Sequence, residues 1–189
     1  YADGATADVA AADFPPDVNK PGSRMLRFSR EIFIERSDFE ETPPKGFHRL
    51  SPGQEVRLLF SYIIRCEDVI KDATGKIIEL RCSYDPQSRS GQSSRRVKGN
   101  IHWVEKTSAL PCVVRLYERL FVAEQPGVER DFHEDLNPDS LRIISGALVE
   151  PSVASDEAGS RYQFARQGFF ASDVKDSRPG QLVFNRIVT

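Results

Sequence analysis

From Arg30 onward the apolar positions come in short runs or alternate one by one, and almost no segment repeats at the helical period of 3.6. Glu31–Ile34 is a short apolar run. Ser37 with Glu40 three residues later has the form of a capping box, which predicts one helical turn, and Pro43-Pro44 breaks it. The run Glu55–Ile64 (EVRLLFSYII) predicts a single buried strand. Asp72–Gly75 predicts the turn of a hairpin joining Glu67–Lys71 to Lys76–Ser83. Val97–Val104 (VKGNIHWV) predicts another strand. In Cys112–Phe121 (CVVRLYERLF) Val114, Leu116 and Leu120 share one face, and Arg115, Tyr117 and Arg119 the other. Leu141–Val149, Arg161–Arg166, Gly168–Ser172 and Gln181–Val188 follow. About ten strands at short spacing predict an all-β chain, and 189 residues suit two small barrels with a seam near residues 105–112.

Residues 1–22 break this pattern. They are Ala-rich, contain Pro15-Pro16, and hold Asp3, Asp8, Asp13 and Asp17 against Lys20, so they are expected to be an acidic leader or linker. The whole chain has a formal charge of −2, which excludes a uniformly basic nucleic-acid binder but not a local basic face. Charge is in fact segregated. Arg81, Arg89, Arg95, Arg96 and Lys98 face one acid, Asp85, in the stretch 81–100, whereas 124–157 is strongly acidic. Hydrophobic content of 39% with 29% charged residues fits a folded domain rather than a disordered chain.

Catalytic signatures are missing. There is no GxxxxGK[ST] phosphate loop, no GxGxxG, no GxSxG and no HExxH. Cys66, Cys82 and Cys112 are an odd set without CxxC spacing, and His48, His102 and His133 are scattered, so neither a zinc site nor a disulfide framework is expected, and a reducing cytoplasm is the expected compartment. His102 beside Trp103 is expected to be a structural histidine. The residues alone lead to an all-β binding rather than catalytic protein, with nucleic acid as one candidate ligand for the Arg-bearing stretch and ordinary surface charge as the other reading of it.

Family resemblance carries the reading further. REIFIERSDFEE, RLSPGQEVRLLFSYII, ELRCSYDP, VKGNIHWV, ALPCVVRLYERLF, the NPDSL turn, YQFARQGFF and VFNRIV occur in order. Together they resemble the anticodon-binding region of bacterial glutaminyl-tRNA synthetases, over about residues 19–189. The resemblance implies two antiparallel β-barrels in tandem with few short helices: the leader over 1–22, a first, distal barrel over 23–108, and a second, proximal barrel over 109–189 that a strand upstream of Tyr1 would complete. It implies a non-catalytic module that reads the anticodon loop of glutamine tRNA, joined to a parent catalytic domain that would use ATP and Mg²⁺. No cofactor, membrane or DNA partner is expected for the module itself. The alternatives are the same region of an archaeal or eukaryotic-type glutamyl-tRNA synthetase, and a protein-interaction barrel.

Carried over position by position, the resemblance assigns Arg49 to the third anticodon base, a guanine, through O6 and N7. It places Arg57 near the first base or its phosphate, and Gln163 and Arg166 at the middle uridine, whose edge both donates and accepts. Lys45 joins them as an RNA-binding candidate. Leu59 stands where the family often has a second Arg, and Gly46 where a Gln is common.

Overall fold

The computed structural model describes residues 1–15 and 18–188. They form two compact units, Tyr1–Ser108 and Ala109–Thr189, and the secondary structure is nearly all β with only short 3-10 turns. In the first unit β1 (Ala7–Ala12) pairs antiparallel with β2 (Ser23–Phe28). β3 (Ile32–Ile34) pairs with β8 (Trp103–Glu105). β4 (Glu55–Leu58), β5 (Ile63–Lys71), β6 (Ile77–Asp85) and β7 (Asn100–Ile101) form a sheet in the order β6-β5-β4-β7. In the second unit β9 (Leu110–Tyr117), β10 (Leu141–Val149), β11 (Arg161–Phe164), β12 (Gly168–Ser172) and β13 (Leu182–Val188) form a sheet in the order β10-β9-β13-β12-β11. Pairing is antiparallel except for β4–β7 and β9–β13, which run parallel.

Three expectations need correction. Residues 7–12, read as leader, are a strand. The Ala-rich composition hides a period of two: Val9 and Ala11 are buried, Asp8 and Ala10 exposed. Val9 pairs with Leu26 across the ladder, and Tyr1 packs edge-on against Phe28 and Tyr84 at 5.2 and 5.4 Å. The first unit therefore includes the strand before residue 23 rather than starting there. Pro16 and Asp17 of the expected leader, and Thr189, lie outside the described residues. Second, Glu55–Ile64 is a tight hairpin and not one strand. Phe60 takes a left-handed φ of 64°, and the Leu58 amide donates to the Tyr62 carbonyl at 2.9 Å. Without a Gly or Asn at the turn, and with both arms buried, the run carries no turn signal. Third, the helical turn near Ser37 is a 3-10 turn, Arg36–Asp38, flanked by Glu35, and no side chain caps it.

The core of the first unit gathers around Trp103, the only tryptophan of the chain. Its ring meets Phe28 edge-on at 5.6 Å, and its indole N–H donates to the Leu59 carbonyl at 2.9 Å. Glu105, at the end of β8, is buried and accepts from Ser29 Oγ at 2.8 Å, Thr107 Oγ1 at 2.9 Å and the Ser108 amide at 2.7 Å. Burial alone would raise its pKa. The hydrogen bonds from Ser108, Ser29 and Thr107 outweigh burial and hold the carboxyl at about 2. The second unit has a smaller core, in which Phe164 stacks on Phe170 at 4.6 Å and meets Phe184 edge-on at 5.3 Å.

Candidate nucleic-acid interface

The first unit carries a polar cleft of about 340 Å³. Four pieces of chain build it. Phe47, His48 and Arg49 come from the segment after a turn in which the Phe47 amide donates to the Pro44 carbonyl at 3.1 Å, with Gly46 at a φ of 89°. Gly at that position has no steric penalty, whereas a residue with a Cβ would be strained there by the backbone alone. Gly53, Gln54 and Glu55 lead into β4, and Arg65 reaches over from β5, its ε N–H donating to the Gly53 carbonyl at 3.2 Å. Val97, Lys98 and Gly99 close the remaining side. A Cβ at Gly99 would lie 1.8 Å from the His48 carbonyl oxygen, so only glycine lets these two segments cross.

Arg49 is held from behind. Its Nη1 donates to the Ser37 carbonyl at 3.0 Å, and its Nε lies 3.3 Å from Oδ1 of Asp38, which is 1% exposed. Its guanidinium sits 5.9 Å from the Phe47 ring. Around it the cleft presents Arg65 and Lys98. The acid in the lining, Glu55, is taken up by Arg95, whose Nη2 donates to both carboxylate oxygens at 2.9 and 2.8 Å. Arg95 also donates to Asp85 at 2.7 Å, and these bonds to Glu55 and Asp85 hold its pKa above the ordinary value. The cleft therefore shows positive charge, an aromatic ring and backbone polar groups together, a set suited to an unstacked nucleotide.

The five sequence candidates separate. Arg49 lines the cleft. Lys45 is exposed in the turn leading to Phe47, one step outside the lining. Arg57 is half-buried and turned to the protein: its guanidinium donates to the carbonyls of Ser61 at 3.1 Å, Arg95 at 2.7 Å and Ser88. It clamps the loop after β6 to β4. Gln163 and Arg166 belong to the second unit, on the β11–β12 hairpin. Gln163 is exposed and pairs across the ladder with Phe169, itself 46% exposed. Arg166 is exposed in the turn where the Gln167 amide donates to the Phe164 carbonyl at 2.9 Å, and it takes a left-handed φ of 62°.

Arg65, Phe47, Asp38 and Gly99 escaped the sequence reading, and Lys98 stood out there only as part of the basic stretch 81–100. Only Gly99 carried a local signal, a glycine inside the otherwise strand-like VKGNIHWV. The basic stretch 81–100 is partly consumed internally, since Arg95 binds Glu55 and Asp85 and Arg89 donates to the Asp8 carbonyl.

The sequence matches two family models, both described as tRNA synthetases class I (E and Q), anti-codon binding domain, over residues 2–85 and 100–173. The chain belongs to this anticodon-binding family. The match starting at residue 2 includes β1, in agreement with its place in the first unit. Among curated relatives, a glutamine–tRNA ligase of Nitrobacter winogradskyi is 50% identical over the whole chain, which covers 34% of that protein. Those of Pseudomonas syringae and Ectopseudomonas mendocina are 51% and 52% identical over 89% of the chain, covering 30% and 31% of their lengths. The chain thus spans about a third of the length of these relatives. The resemblance to the glutaminyl-tRNA synthetase anticodon-binding region holds at this level, and the anticodon-binding models match residues in both units.

Proposed function

We propose that this chain reads the anticodon of glutamine tRNA on behalf of a glutamine–tRNA ligase, and that the cleft around Arg49 takes the third anticodon base, guanine. The observation that carries this reading is the cleft itself: a fixed arginine beside an aromatic ring and further cations, inside a region matching an anticodon-binding family. Arginine donors match guanine O6 and N7, and the ring offers a surface for the unstacked base. Arg65, Lys98 and Lys45 would meet the backbone phosphates. Gln163 and Arg166 supply the donors and acceptors for the middle uridine. Arg57, engaged with three carbonyls, acts on the first base through the loop it clamps. ATP and Mg²⁺ would serve the parent enzyme's catalytic part, and the cytoplasm is its place of work.

Fluorescence anisotropy with anticodon stem-loops tests the reading. Binding of the CUG stem-loop should weaken with added salt, as phosphate contacts require. Arg49→Lys should cost about 1–3 kcal/mol on CUG and much less on CUA. Lysine is the right replacement, because alanine would remove a cation beside the buried Asp38 carboxylate and confound binding with folding. Equal losses on CUG and CUA would overturn the assignment of Arg49 to the third base.

A further inference from the structure

We propose that Asp38 is a positioning residue for anticodon specificity: it presets the guanidinium of Arg49 before RNA arrives. The inference rests on the reading of the cleft given above and concerns how that reading is made selective.

Asp38 lies in the 3-10 turn Arg36–Asp38, behind the cleft and outside its lining. Its backbone is fixed on both sides. Its amide donates to the Glu35 carbonyl at 2.9 Å, and its carbonyl accepts the Leu50 amide at 3.0 Å. That second bond ties the turn to the residue directly after Arg49. The same three-residue turn therefore supplies the backbone anchor of the Arg49 segment and two anchors of its side chain, the Ser37 carbonyl on Nη1 and the Asp38 carboxylate beside Nε.

A guanidinium has five N–H donors in a planar fork. With Nε paired to the Asp38 carboxylate at 3.3 Å and one Nη1 hydrogen on the Ser37 carbonyl, the second Nη1 hydrogen and both Nη2 hydrogens have no hydrogen-bond partner among the described residues and can serve a ligand. An arginine side chain that is 40% exposed would ordinarily sample many rotamers. Held at Nε and Nη1, it offers its terminal edge in one orientation, so less freedom is lost on binding and a base with misplaced acceptors is penalised. A carboxylate that is 1% exposed is expensive to bury unless it is paired, and its Oδ1 lies 3.3 Å from the Arg49 Nε.

Asp38→Asn keeps the size and removes the charge. In stem-loop titrations with the full 189-residue chain, this variant should bind CUG about tenfold more weakly and keep its affinity for CUA, so that discrimination falls. Its unfolding midpoint, followed by Trp103 fluorescence, reports folding separately. On the unsubstituted chain, the Arg49 Nε–H proton should exchange slowly by NMR, a readout that needs no variant. Equal weakening on both stem-loops, unchanged discrimination, or an Arg49 Nε–H that exchanges as fast as that of a free arginine would overturn the inference. The Arg49→Lys titration separates the two levels. If Arg49→Lys lowers discrimination while Asp38→Asn does not, only the role of Asp38 falls. If Arg49→Lys leaves discrimination intact, the reading of the cleft falls first.

Discussion

Among the described residues, the exposed large apolar side chains of the first unit are Val18, Met25, Phe33 and Ile78; in the second unit they are far more numerous. Leu141, Ile143 and Tyr117 lie on one face of the second sheet, because Leu141 pairs with Tyr117 and Ile143 with Arg115. Leu120, Val128 and Phe132 are exposed in the long connection between β9 and β10. The buried cluster of the first unit runs from Val9 to Trp103 and draws on several sheets, whereas that of the second is Cys112, Val114, Val149, Phe170, Leu182 and Phe184. A single five-stranded sheet has two faces, and its own connections bury one of them. On the other, around the buried Val183, polar pairs add their share: Arg115 with Asp173 at 3.2 Å and Asp176 at 2.6 Å, and the Tyr117 hydroxyl donating to Asn185 at 2.9 Å. The first unit thus rests chiefly on packing around Trp103, and the second relies more on directed polar contacts.

The largest expected effect tests whether the smaller core stands by itself. Phe184→Ala should cost about 3–5 kcal/mol. Because Trp103 is the only tryptophan, its fluorescence reports the first unit, while far-UV circular dichroism reports both. In urea the second unit's share of this variant's dichroism should be lost early, and the Trp103 transition should stay in place. A Trp103 transition displaced by the same amount would show one cooperative unit and break the comparison.

Acid comes next, because each unit holds a carboxyl at about 2: Glu105 in the first, Asp173 in the second. The cause at Asp173 is first the Asn185 amide, then the backbone N–H groups of Asp176 and Lys175, with Arg115 adding attraction. Both folded-state values lie below the unfolded ones of 4.5 and 3.8, so each group stabilises fully above its unfolded value and loses its contribution as pH falls toward 2. The loss is on the order of 3 kcal/mol for Glu105 and about 2 kcal/mol for Asp173. Glu105→Gln should flatten the acid dependence of the Trp103 transition alone. If the dichroism of the second unit flattened with it, the two acid responses would not be separate.

The smallest effect probes the exposed face. Ile143 is 57% exposed, so Ile143→Ser should change stability by no more than about 0.5 kcal/mol in a thermal melt followed by circular dichroism. A loss of 2 kcal/mol would mean that the side chain is covered.

How much of this was readable before the structure differs from element to element. The β10 and β12 segments and the Asp72–Gly75 hairpin stand where alternation and turn chemistry put them, since both signals are local. β1 was hidden because alanine is neutral in hydrophobicity, and its alternation shows only when Val9 and Ala11 meet Leu26 and Phe28. The break at Phe60 was hidden because a buried tight turn can use apolar residues when tertiary contacts hold them. Among the site residues, Arg49 came from resemblance. The role of Arg57 could not be read, because carbonyl acceptors look alike in any sequence.

The order of residues by itself determined the strand class, the family, and which arginines stand at motif positions, because these depend on local periodicity and on matching strings. Only the tertiary structure decided that Asp38 stands behind Arg49, that Arg65 and Lys98 share its cleft, that Gly99 must be glycine because His48 passes above it, and that Arg57 points inward. Those facts depend on segments distant in sequence crossing within hydrogen-bond range, and no local pattern encodes where two strands will cross.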